Sequence, residues 1–354
     1  MSLRFIYGRA GSGKSYYCLN DIKDRIDKGT TNALLLLVPE QFSLQAERNL
    51  VKTMGTGGII KTEVLSFKRM AYRVFNEVGG ITHIRINSAG KCMVIHKILE
   101  SMKDDLQVFS KSAGQQGFIN TISDLIAEFK RYDITPEDLE KIYIKKHNQT
   151  DANEDNIDTI EKQSLNKGKL LNKRVYMPEE KQPEDKLPEE KQTEDKQTED
   201  KLPIEKDRLL VYKLKELALI YREYEKNICG KYRDADDDLT MLYEKLDSTS
   251  MFNDAEIWID EFSGFTEQEY KVITKLMKKS HRINVSLCTD CLIEDTSRWV
   301  SGYGYIDHTD VFSPLKNVVG KLMKIAKEFN IPVEPPVIME KQNLTGKNGR
   351  PVCR

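Results

Sequence analysis

Along the first 65 residues, apolar and polar positions fall into blocks. Leu3 to Tyr7 is a short apolar run, ended by a glycine-rich turn from Gly8 to Gly13. From Lys14 to about Lys28 the apolar positions recur at helical spacing, with Tyr17, Cys18, Ile22 and Ile26 on one side. Ala33 to Val38 is a continuous apolar run closed by Pro39. It is too short for a membrane helix and does not alternate, so it predicts a strand buried on both faces of a parallel sheet. A helix over Ser43 to Met54 and a strand near Ile60 to Leu65 follow. Strand, helix, strand, helix, strand at this spacing predicts a doubly wound α/β sheet.

From about Ser88 to Lys146 helical patterns take over. FINTISDLIAEFKRY and PEDLEKIYI carry apolar residues three and four apart, and Pro136 suits the first turn of the second helix. This stretch predicts an all-helical insertion. Residues 148–206 lack periodicity and include five pentads, EEKQP EDKLP EEKQT EDKQT EDKLP, at 179–203. They predict a disordered, acidic repeat linker. Helix resumes at about Arg208 with Leu210, Leu214, Leu217, Ile220, Tyr221 and Tyr224 as its stripe. Ala255 to Asp260 predicts another buried strand, Phe265 to Lys279 a helix, Arg282 to Leu287 a strand and Pro314 to Phe329 a final helix. Thr266 and Glu269 have the spacing of a capping box.

Charge changes this picture in one respect. Among 354 residues the net charge is −1, which excludes a globally basic nucleic-acid binder. The five pentads, however, carry −5 in total and leave +4 on the remainder, which permits a phosphate-bearing partner. No run of 18 apolar residues occurs, and MSLRFIYGRAGSGK has no apolar segment of signal-peptide length. Six scattered cysteines suit a reducing compartment, so a soluble, cytoplasmic protein is expected.

The strongest chemical signal is Gly8-Arg9-Ala10-Gly11-Ser12-Gly13-Lys14-Ser15, placed after a predicted strand and opening a predicted helix. It fits the phosphate-binding pattern G-x-x-x-x-G-K-[ST] and predicts a nucleotide-binding P-loop. Its glycines let backbone N–H groups surround a phosphate, and the helix N-terminus adds positive charge. Lys14 supplies a point charge for the β- and γ-phosphates, and Ser15 a hydroxyl ligand for Mg²⁺. Ile257-Trp258-Ile259-Asp260-Glu261 is an apolar strand ending in two carboxylates. Asp260 suits the Mg²⁺ shell with Ser15, and Glu261 suits a general base for the attacking water. About 245 residues separate Lys14 from Asp260, far more than a compact nucleotide kinase needs. Cys288 and Cys291 lack the further ligands of a metal site and read as ordinary thiols, while the five histidines show no ligand spacing.

Two stretches interleave basic and aromatic residues. Ser66 to Arg73 offers Lys68 and Arg69, and Glu128 to Tyr132 offers Lys130 and Arg131, as phosphate contacts. Core packing accounts for Phe67, Tyr72 and Phe129 at least as well as base stacking does.

In order along the chain, GRAGSGKS, LLLLVPEQFSLQAE, VLSFKRMAYRVFNEVGG, GFINTISDLIAEFKRYDITPEDL and IWIDEFSGFTEQEY resemble the N-terminal part of the AddB family. Its members are components of bacterial AddAB (RexAB-type) ATP-dependent helicase–deoxyribonucleases. The resemblance implies a RecA-like P-loop NTPase domain with IDEFSGFT as its second helicase motif, where Asp260 and Glu261 are the metal and water-activating pair. Gln41, in VPEQF, resembles a segment that contacts single-stranded DNA. The implied division is 1–87 and 251–340 for the two parts of the RecA-like domain, 88–147 and 207–250 for the helical insertion, 148–206 for the linker and 341–354 for a tail. The implied partners are an AddA-type helicase–nuclease subunit and double- and single-stranded DNA ends. The implied role is Chi-regulated processing of double-strand breaks for recombinational repair. ATP and Mg²⁺ are the expected cofactors, and the family's 4Fe–4S cluster and nuclease are expected only in a C-terminal region beyond this chain. A second RecA-like domain is expected there as well, so the chain reads as an N-terminal fragment, or a truncated reading frame, with weak turnover of its own. The alternatives are a nucleotide-responsive DNA-binding scaffold without turnover and a small-molecule P-loop kinase.

Overall fold

A computed structural model describes residues 1–55, 62–80, 83–148, 195–292, 299–300, 304–305 and 309–339. Most of the predicted linker, and the tail from 341, lie outside the described residues. The main elements run β1 (Leu3–Tyr7), α1 (Lys14–Asp27), β2 (Leu34–Leu37), α2 (Ser43–Met54), β3 (Thr62–Leu65), α3 (Phe67–Val78), α4 (Ser88–Ser101) and α5 (Gln116–Arg131). They continue with α6 (residues 136–148) and α7 (Asp195–Ile228). After these come α8 (Asp238–Lys245), β4 (Glu256–Ile259), α9 (Glu267–Lys279), β5 (Arg282–Leu287), α10 (Ser313–Glu328) and β6 (Val337–Ile338). None of the described helices is long and apolar enough to cross a membrane.

The chain divides into two compact units. The first (residues 1–84, 131–133 and 234–354) holds a six-stranded sheet in the order β6-β1-β5-β4-β2-β3. Every pairing in it is parallel. Leu34 to Leu37 show why an unbroken apolar run belongs in such a sheet. Leu35 and Leu37 enter a core with α3, α8, α9 and α10, while Leu34 and Leu36 enter the opposite core with α1 and α2. Both faces are therefore covered. On the second face, Trp258 is fully buried, and its indole N–H donates to Asp21 Oδ2 at 3.1 Å. Arg4 bonds the same carboxylate at 2.5 Å and Asn284 Oδ1 at 2.8 Å, so these polar groups are satisfied beneath the apolar layer.

The register aligns Tyr7 with Leu287 and Leu37 with Ile259. The C-terminal ends of β1, β5, β4 and β2 thus open onto one edge, where ligands bind in open α/β sheets. Residues 238–250, placed by the sequence with the helical insertion, belong instead to this unit. Leu242 on α8, and Leu246 and Phe252 beyond it, are fully buried in its first core.

The second unit (residues 85–130 and 134–233) contains α4, α6, α7 and nearly all of α5 around a separate core that includes Ile95, Leu99, Ile122, Ile126 and Tyr224. Helix α7 starts at Asp195, within the pentads, and not near Arg208 as the apolar stripe suggests. That stripe marks only where apolar residues begin, since backbone helix continues without one. Buried Glu216 on α7 accepts the backbone N–H groups of Gln107, Val108 and Phe109 at 2.7, 2.8 and 3.0 Å. This ties the segment after α4 to α7 and satisfies three of its backbone donors.

Candidate functional site

The loop from Gly8 to Gly13 leaves β1 and turns directly into α1. Gly11 and Gly13 adopt φ of 76° and 89°, left-handed values that cost glycine nothing. Gly8 is required for another reason: a Cβ there would lie 2.4 Å from Met339 O and 2.7 Å from Ser12 Oγ. The Lys14 ammonium is held over the loop by the carbonyl oxygens of Gly8 (2.9 Å) and Arg9 (3.0 Å). Arg9 is exposed and points toward Asp290 at 3.9 Å. Asp290 in turn lies 3.6 Å from Lys316 on α10.

Across the sheet edge, Asp260 ends β4 almost fully buried, with its backbone N–H bonded to Leu37 O at 3.0 Å. Glu261 follows at φ 65°, an uncommon conformation for a residue with a Cβ. This reversal returns its carboxylate to the glycine-rich loop, where the Ser15 hydroxyl donates to Oε1 at 2.8 Å. The sequence paired Ser15 with Asp260, whereas the structure joins it to Glu261. Phe262 packs edge-on against Phe67 with ring centres 5.6 Å apart, and against Phe265 at 5.1 Å, which anchors the chain after Glu261.

Gly11, Gly13, Lys14, Ser15, Asp260 and Glu261 line one open cavity of about 530 Å³, a volume within the usual range for small-molecule sites. Two carboxylates and a hydroxyl form a hard oxygen donor set that suits Mg²⁺, which normally takes one or two protein carboxylates plus phosphates and waters. Among the described residues, no group of three or more His, Cys, Asp or Glu could hold a metal by itself. Tyr16, Ser286 and Cys288 also line the cavity, although sequence reasoning did not assign them to it. For Ser286 and Cys288 the available signal was their alternation at the end of a strand that sits between β1 and β4.

The expected DNA contacts separate. Gln41 is exposed in a short turn, Glu40–Phe42, after β2. Lys68 and Arg69 are exposed on α3, with Arg69 bonded to Glu47 at 2.5 Å. Arg131 is exposed as well, 4.0 Å from Asp236. Lys130 does not fit its expected role. It is buried, with its ammonium 2.8 Å from Glu225 and 5.5 Å from the centre of the Tyr224 ring. Four residues beyond Ile126, it continues the apolar face of α5 into the core and is not presented to a phosphate.

The family model described as "ADDB, N-terminal" matches residues 5–163 and 180–349. A protein of Acetivibrio thermocellus, named as a subunit of an ATP-dependent helicase/deoxyribonuclease, is 46% identical over 344 residues, 97% of this chain. Proteins of the same name from Clostridium botulinum (strain Loch Maree) and Clostridium tetani are 45% and 38% identical over 96% and 95% of it. The chain spans 24% of the length of each of these relatives.

Proposed function

This chain belongs to the AddB N-terminal family, and from that premise we propose that it is the ATP-binding, helicase-like region of a DNA-processing complex. The complex is of the helicase–deoxyribonuclease kind, with an AddA-type partner acting on DNA ends in Chi-regulated recombinational repair. The observation that carries the reading is the meeting of Lys14, Ser15, Asp260 and Glu261 at one cavity on the C-terminal edge of a parallel sheet. A RecA-like P-loop domain has this arrangement. The loop N–H groups and Lys14 bind the phosphates. Ser15 and Asp260 would hold Mg²⁺, which would supply charge neutralisation for the bound phosphates. Glu261 accepts the proton of the water that attacks the γ-phosphorus as the bond to the bridging oxygen breaks. Lys68, Arg69 and Gln41, exposed near the ends of β2 and β3, are the residues that would meet single-stranded DNA on this reading.

The test is ATP binding and turnover by the purified chain, with and without single-stranded DNA. Turnover stimulated by DNA and lost in Lys14→Ala supports a motor-like role. ATP binding without turnover supports a nucleotide-responsive scaffold. Failure to bind either ATP or DNA overturns the proposal, and phosphoryl transfer to a small acceptor without DNA binding favours a kinase.

A further inference from the structure

Tyr16 is the third residue of α1, two past Lys14, and it lines the cavity while remaining 69% exposed. Its neighbours behave differently: Cys18 and Leu19 are buried, and Tyr17 packs against the core on that face. Among the described residues, the Tyr16 side chain has no hydrogen-bond or ring partner. Its backbone oxygen accepts from Asn20 Nδ2 at 2.9 Å, as an ordinary residue of the first turn. A large aromatic ring left in water at the rim of the cavity exposes apolar surface that a flat ligand group would cover.

The orientation of the site says which group. Ser15 faces Glu261, and on the nucleotide reading that end of the cavity takes the terminal phosphate. A helix advances about 100° per residue, so Tyr16 projects to a different side of α1 from Ser15. In a loop of this type the backbone cradles the α- and β-phosphates while the lysine reaches the β- and γ-phosphates. The nucleoside therefore leaves the cavity on the side away from the carboxylates. We infer that the Tyr16 ring is the platform on which the base of the bound nucleotide stacks. This inference rests on the nucleotide reading above and adds to it a base-binding residue. Stacking uses the π-face that every base presents, so Tyr16 contributes affinity with little choice among bases.

The test compares two ligands, ATP and inorganic tripolyphosphate, by calorimetry with Mg²⁺ on the full chain. Tyr16→Ala is expected to weaken ATP binding about 5- to 100-fold, leave tripolyphosphate binding unchanged, and be rescued by Tyr16→Phe. Unchanged ATP affinity in Tyr16→Ala overturns the inference. So does an equal loss for both ligands, which would place Tyr16 in the phosphate cradle. If the unsubstituted chain binds neither ligand, the nucleotide reading itself fails, and the role of Tyr16 fails with it.

Discussion

The Ser15 hydroxyl and the Glu261 carboxylate meet at 2.8 Å across 246 residues of sequence. The contact ties the first turn of α1 to the end of β4, so each group fixes the other's position before a ligand arrives. Glu261→Gln keeps an oxygen acceptor for Ser15 but cannot take a proton. ATP binding should be little changed and turnover reduced about 100-fold or more. Ser15→Ala should instead weaken the Mg²⁺-dependent part of ATP affinity. Titrations with and without Mg²⁺, set beside phosphate release, separate the two.

Gly8 and Gly11 should respond differently to alanine. At Gly8 a Cβ meets the Met339 carbonyl at 2.4 Å, a backbone atom that no rotamer change can move aside. Gly11 has open space around it, and only its φ of 76° opposes a side chain. Gly11→Ala should cost about 1–2 kcal/mol. Gly8→Ala should cost about 1–3 kcal/mol and also displace the loop, with a larger loss of nucleotide affinity than Gly11→Ala. Denaturant melts together with ATP titration test the difference.

Lys68 and Lys130 look alike in sequence and should behave as opposites. Lys68→Ala should leave stability unchanged and reduce the salt dependence of DNA binding by about one unit of slope. Lys130→Ala removes a buried four-carbon stem and should destabilise the protein by about 1–2 kcal/mol without changing that slope.

Asp138 provides a pH signature in the helical unit. Hydrogen bonds from Lys141 and Thr135 hold its carboxyl below the ordinary aspartate value, at about 2. A carboxylate depressed on folding contributes stability above its unfolded pKa, near 3.8, and loses it as pH falls through the folded value. The start of α6 should therefore weaken between about pH 4 and pH 2. An NMR titration of the Asp138 carboxyl should show a midpoint near the lower end, and Lys141→Ala should raise it.

Much of the sheet was legible because its signals are local or strongly patterned. The run from Ala33 to Val38 could bury both faces only inside a parallel sheet. The capping box forms as its spacing predicts, with Thr266 N–H donating to Glu269 Oε2 at 2.7 Å. Other features were not readable because they depend on partners distant in sequence. Nothing local favours a positive φ at Glu261, yet that reversal sends its carboxylate to Ser15. The sequence assigned 207–250 to the helical insertion, and nothing local to Leu242 says which of two cores receives it. For Lys130 the signal was present, in its helical spacing from Ile122 and Ile126, but the neighbouring aromatic and basic residues suggested a surface role. The boundary of α7 escaped because the pentads lack an apolar stripe.

Strand β6 and the residues before it run beside β1 almost from end to end. Leu3 N–H bonds Pro332 O at 3.0 Å, Glu334 N–H bonds Leu3 O at 2.8 Å, and Met339 N–H bonds Tyr7 O at 2.7 Å. The last of these seats Met339 where a side chain on Gly8 would have to be. The loop's first glycine and residue 339 therefore form a single mechanical joint. Residue 339 thus sets how far the loop's first residue can be altered, and a change at either position must be accommodated at the other.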